Sequence, residues 1–131
     1  MEINMHLDLN ENSSPKEIAE AIVGVLDAKL AKDIKLLRVE EKTVLADYFV
    51  ICCGNSSTQV RALADEVEYQ TGLCGIVPRN TEGRDSSGWI VMDYGTVLVH
   101  IFDRKTREFY NLEKLWQSAD DVDITPLLQK E

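Results

Sequence analysis

Tyr48-Phe49-Val50-Ile51-Cys52-Cys53-Gly54-Asn55-Ser56-Ser57 is the stretch on which the fold turns. Its first six residues are apolar without a break, which is the pattern of a strand buried on both faces. Gly54 stops the run, and Asn55-Ser56-Ser57 offers side-chain oxygens to the free amides of a helix start. Val60, Leu63, Ala64, Val67 and Thr71 then recur at helical spacing, and Gly72 is a natural stop. A two-faced strand that runs straight into an amphipathic helix implies layers of helix and sheet.

Upstream, Ser14-Pro15-Lys16-Glu17 reads as a capping box with proline in the first turn. Ile18, Ile22, Val25, Leu26 and Leu30 follow on one face, which predicts a helix over 15–31. Asp33 to Val39 is strand-like, and the eight residues between it and Tyr48 are too few for a helical crossover. These two strands are therefore expected to be antiparallel. Downstream, residues 79–88 are all polar or glycine and read as a loop. Trp89 to Asp93 and Thr96 to Phe102 form a predicted hairpin, and Thr106 to Ala119 a short helix. The expected fold is α/β, a mixed sheet flanked by helices. It is read as one domain over 14–117, with a flexible lead-in over 1–13 and an acidic tail over 118–131.

A chain of 131 residues can bury roughly two thirds of its unfolded surface, enough for a core without staples. The net charge of −9 removes the electrostatic term that drives binding to phosphate backbones, so direct nucleic-acid recognition is not expected. The same field favours a basic partner, although acidity also serves solubility alone. Cys52, Cys53 and Cys74 show no zinc-ligand spacing and suit a reducing compartment. No basic-then-apolar leader opens the sequence, and no apolar run approaches the roughly 20 residues of a membrane span. A cytoplasmic protein is expected.

The search for catalytic chemistry finds little. His6 and His100 are the only histidines, and no GxSxG-type signature marks a nucleophile. Gly54-Asn55-Ser56 lies where nucleotidyltransferases carry a Gly-Ser step. No pair of carboxylates on neighbouring strands stands ready for Mg²⁺, however. No catalytic residue, metal ligand or cofactor is predicted.

The hairpin is more informative. With Tyr94-Gly95 as a two-residue turn, Asp93 pairs with Thr96, Val91 with Leu98, and Trp89 with His100. One face carries Ile90, Met92, Val97, Val99 and Ile101, a core face. The other carries Trp89, Val91, Asp93, Leu98, His100 and Phe102, which mixes aromatics with a carboxylate and an imidazole. Such a mixture suits a protein-binding face. The alternative is that the last helix covers it and His100 is hydrogen-bonded inside.

Ala46-Asp47-Tyr48-Phe49-Val50-Ile51, Gly54-Asn55-Ser56-Ser57, Glu82-Gly83, Trp89-Ile90-Val91-Met92-Asp93-Tyr94-Gly95, Val99-His100-Ile101-Phe102 and Arg107 to Trp116 together resemble the ribosomal silencing factor (Iojap) family. The resemblance spans about 15–117. Ala46 stands where threonine is usual, and the chain runs on beyond Trp116. The resemblance implies a nucleotidyltransferase-like fold without enzyme activity. It implies binding to ribosomal protein fourteen of the large subunit, obstruction of small-subunit joining, and a homodimer when free. It further implies that Trp89, Asp93, Tyr94 and Gly95 contact the partner, with Arg79, Glu82 and His100 in support. Tyr110 and Trp116 are expected to pack the last helix into the core.

Overall fold

The structure is a computed structural model and describes residues 7–84 and 88–128. Helix α1 spans Pro15–Ala28 and strand β1 Lys32–Arg38. Strand β2 spans Tyr48–Gly54 and helix α2 Ser57–Gly72. Three strands follow: β3 over Asn80–Glu82, β4 over Trp89–Asp93 and β5 over Val97–Asp103. Helices α3 (Arg104–Tyr110) and α4 (Leu112–Leu115), strand β6 (Asp120–Asp121) and a 3₁₀ turn over Thr125–Leu127 complete the order. The capping box at Ser14 is formed in both directions, with Glu17 N–H donating to Ser14 Oγ and Ser14 N–H to Glu17 Oε1.

The six strands make one mixed sheet in the order β3-β4-β5-β2-β1-β6. Strand β2 runs antiparallel to β1, as its short connection requires, and parallel to β5. Every residue of β2 is buried. Val50 and Cys52 enter the core under α1 and α2, whereas Phe49 and Ile51 enter a second cluster on the opposite face.

Several sequence expectations give way. The hairpin pairs Asp93 with Leu98, Val91 with His100 and Trp89 with Phe102, two residues from the expected register. The cause is local: Asp93 Oδ1 accepts from Gly95 N–H at 2.7 Å, and Tyr94 N–H donates to the Val97 carbonyl at 2.9 Å, so the turn is wider. A shift of two preserves side-chain parity, so both faces keep the predicted residues. Within the expected loop 79–88, Asn80–Glu82 forms an edge strand on β4; edge strands tolerate polar residues. Residues 85–87 of that loop lie outside the described residues. Helix α1 ends at Ala28 rather than 31, where Leu30 turns left-handed at φ +66°. The expected last helix starts at Arg104, capped by Asp103, and breaks at Asn111 at φ +47°.

The described residues of both terminal segments pack on the domain. Leu7 packs against the main core, and the expected tail contributes β6, paired with Leu37 and Arg38 of β1. Val122, Ile124, Leu127 and Leu128 also reach the main core. Residues 1–6 of the expected lead-in and 129–131 of the tail lie outside the described residues.

Candidate functional site

The outer face of β4 and β5 is organised around Trp89. Its backbone is gripped tightly: a Cβ on Gly83, which sits at φ +96°, would meet the Trp89 carbonyl at 2.0 Å. The indole stacks on Phe102 with centroids 4.9 Å apart and leans on Tyr110 at 4.8 Å. Its Nε1–H donates to His100 Nδ1 at 3.2 Å. An indole only donates, so Nδ1 is the acceptor and the His100 proton resides on Nε2. That Nε2 is buried and has no hydrogen-bond partner among the described residues. Burial pushes His100 down from 6.5 to about 4, so the ring is neutral at physiological pH.

The ring system continues across the sheet. Phe49 meets His100 edge-on at 5.1 Å, and Trp116 meets Phe49 edge-on at the same separation. Tyr110, Trp89, Phe102, His100, Phe49 and Trp116 thus form a continuous aromatic layer. Its inner members are buried, and its rim is not. Phe109 is 80% exposed, Leu115 73% and Tyr110 55%, while Trp89, Leu98 and Trp116 are half-buried. Tyr110, expected in the core, stands mostly in solvent; Trp116 packs as expected but only in part.

The remaining predicted residues divide. Asp93 accepts from Gly95 N–H and pairs with Arg79 Nη2 at 3.3 Å, so Arg79, Asp93 and Gly95 meet at the turn. Gly95 sits at φ +88°, where only glycine is unstrained. The turn lies four strand residues from Trp89, about 13 Å along β4. Glu82 is exposed on β3 and accepts from Asn80 Nδ2 at 3.0 Å. Tyr94 faces the other way. Its hydroxyl lies 2.9 Å from Thr71 Oγ1 on α2, and burial raises it to about 12. It braces the turn from the core side and does not share a face with Trp89.

The Gly54-Asn55-Ser56 turn is occupied by its own chain. Ser56 Oγ accepts from Gln59 N–H at 3.1 Å, and Gln59 Oε1 accepts from Asn55 N–H at 2.5 Å. Burial raises the Cys52 thiol far above its ordinary value, which keeps it protonated. Among the described residues, no cluster of three or more His, Cys, Asp or Glu is arranged for a metal ion. No helix among them is long and apolar enough to cross a membrane.

The family model described as "Ribosomal silencing factor during starvation" matches residues 11–131. The Bacillus subtilis ribosomal silencing factor RsfS is 42% identical over 109 residues, covering 83% of this chain and 92% of that protein. A mouse protein named "Mitochondrial assembly of ribosomal large subunit protein 1" is 34% identical over 107 residues, covering 78% of this chain and 47% of that one. A crystal structure from Chromobacterium violaceum superposes with a TM-score of 0.77 at 28% identity, covering 91% of both chains. One from Bacillus halodurans gives 0.73 at 35% identity, covering 82% of this chain and 98% of that one. With the family model spanning nearly its whole length, this chain belongs to the ribosomal silencing factor family.

Proposed function

We propose that this protein docks on the large ribosomal subunit through the outer face of β4, β5, α3 and α4, and blocks joining of the small subunit. The observation that carries the reading is the exposed rim of the aromatic layer, where Phe109 packs on Tyr110 and Tyr110 leans on half-buried Trp89. Exposed apolar clusters on a rigid support mark protein-binding sites, and aromatic anchors dominate interface energies. The partner is ribosomal protein fourteen of that subunit, a basic protein suited to a chain of net charge −9. Arg79, Asp93 and Gly95 form the polar end of the contact. Glu82 stands at the neighbouring edge, His100 holds the Trp89 anchor, and Tyr94 acts from behind by fixing the turn. Obstruction needs only bulk, and a chain of this length makes a body roughly 35 Å wide. No catalysis, cofactor or metal enters the mechanism. The protein works in the cytoplasm, and in its free form pairs through the same apolar face as a homodimer.

The test is a subunit-joining assay with purified subunits. Wild-type protein should suppress joining. Trp89→Ala should weaken binding to large subunits by about 2 kcal/mol, roughly 30-fold, with its circular dichroism unchanged. A Trp89→Ala variant as effective as wild type would sink the site. The name of the mouse relative favours a second reading, in which the protein assists large-subunit assembly. Binding at full affinity without any effect on joining would select it.

A further inference from the structure

Arg107 is the one buried arginine among the described residues, 7% exposed beneath α3. Its guanidinium spends its donors on three different elements. Nη1 donates to the Asp33 carbonyl of β1 at 2.7 Å and to Cys53 Sγ of β2 at 3.2 Å. Nε and Nη2 straddle the Glu113 carboxylate of α4, with Nη2 at 3.0 Å from Oε2. The backbone departs from regular structure on both sides of this fork. Asp33 lies in the bulge of β1 between Lys32 and Lys35 and is left-handed at φ +50°. Asn111, between α3 and α4, is left-handed at φ +47°, and its N–H donates to the Arg107 carbonyl at 2.9 Å. Left-handed conformations at residues other than glycine are costly and persist where surrounding contacts impose them. Both of these left-handed residues contact Arg107, Asp33 through the guanidinium and Asn111 through the backbone carbonyl. On the same helix, one turn away, Tyr110 leans on Trp89 and Phe109 stands in solvent.

We propose that Arg107 is a positioning residue, holding the α3–α4 unit in the single pose in which Tyr110 and Phe109 extend the Trp89 ring stack into a docking surface. The helices themselves are too short to hold that pose, at 7 and 4 residues. The planar fork reaches strand, bulge and second helix at once. A lysine at this place keeps the charge and reaches one of them. The binding consequence rests on the docking reading; the geometric one does not.

The experiment therefore has two arms. Nuclear magnetic resonance follows the Trp89 indole Nε1–H, assigned by its loss in Trp89→Phe. In Arg107→Lys this resonance should move, because Tyr110 leaves the indole. Affinity for purified large subunits should fall about tenfold, the scale of one or two interface side chains that must be ordered on binding. Combined with Tyr110→Ala, Arg107→Lys should cost less than it does alone, since there is less left to position. Glu113→Gln, which keeps an oxygen for the fork, should retain most of the affinity that Glu113→Ala loses. These two variants carry the test if Arg107→Lys does not fold. A merely structural arginine would lower the melting temperature and leave the Trp89 resonance in place. That result, or strictly additive losses with Tyr110→Ala, overturns the proposal. If wild-type protein fails to bind large subunits, the docking reading fails, and the resonance alone decides the role of Arg107.

Discussion

The two faces of the sheet are built to different ends. Toward α1 and α2, residues Val50, Cys52, Ile90, Met92, Val97, Val99 and Ile101 are each at most 1% exposed. Helices of 14 and 16 residues, roughly 21 and 24 Å long, lie across them. On the other face, the short helix α3 packs over β5 and β2, and Trp89, Val91, Asp93 and Leu98 are left half-buried. The first face exchanges apolar surface for stability. The second keeps apolar surface in water at some cost in solubility, and keeps it rigid through a layer of rings. A side chain's burial partner, and not its hydrophobicity, separates the two roles: Leu26 and Leu115 are the same residue type at 0% and 73% exposure.

The comparison breaks most visibly by truncation on the helical face. Leu26→Ala should lose about 3 kcal/mol of stability in denaturant melts, with binding to large subunits intact wherever the chain remains folded. Equal losses of stability and affinity at low denaturant would erase the distinction between faces.

The next effect belongs to His100, on the aromatic face but buried. Its folded value of about 4 lies below the ordinary 6.5. Between these two, the unfolded chain takes up a proton that the folded chain refuses, so stability rises with pH across that window. Acidification from pH 6.5 to 4 should cost on the order of 3 kcal/mol through this group, with no contribution from it above pH 7. Protonation also places a hydrogen on Nδ1, the acceptor for Trp89. Denaturant melts at stepped pH, wild type against His100→Gln, isolate the term. Parallel slopes for the two proteins would show that His100 is not held neutral.

The smallest effects form a mirrored pair. Phe109→Ser should leave stability within about 0.5 kcal/mol, as exposed substitutions do, and weaken subunit binding by about 1 kcal/mol. Tyr94→Phe should do the reverse, removing the hydroxyl contact to Thr71 for about 1 kcal/mol of stability with little change in affinity. Calorimetry and co-sedimentation of both variants sharpen the contrast. If both lost affinity equally, Tyr94 would belong to the contact surface after all.

Local pattern was enough for β2, α1, α2 and the parity of the hairpin, because each is dictated by neighbours a few residues apart. Parity even survived a wrong turn, since a register error of two returns every side chain to its face. The polar strand Asn80–Glu82 was not legible, because an edge strand is defined by what it pairs with. Trp89 and His100 were legible as an unusual pair on one face. The expected register set them directly opposite; in the true register Val91 faces His100, and the Trp89–His100 hydrogen bond runs diagonally across the strands. Tyr94 neighbours Asp93 in sequence, yet the alternation of the strand directs its hydroxyl to Thr71 on α2.

The sequence by itself determined that this is an acidic α/β chain with one fully apolar sheet face and one mixed face, since charge and strand periodicity are carried by composition and spacing. Only the tertiary structure decided which apolar residues remain in water. Phe109, Tyr110 and Leu115 have the composition of a core and the position of a rim. Their exposure depends on how far two short helices reach across a sheet whose strands are distant in sequence, as Arg107 and Asp33 are. That reach is settled by tertiary packing, and no local pattern encodes it.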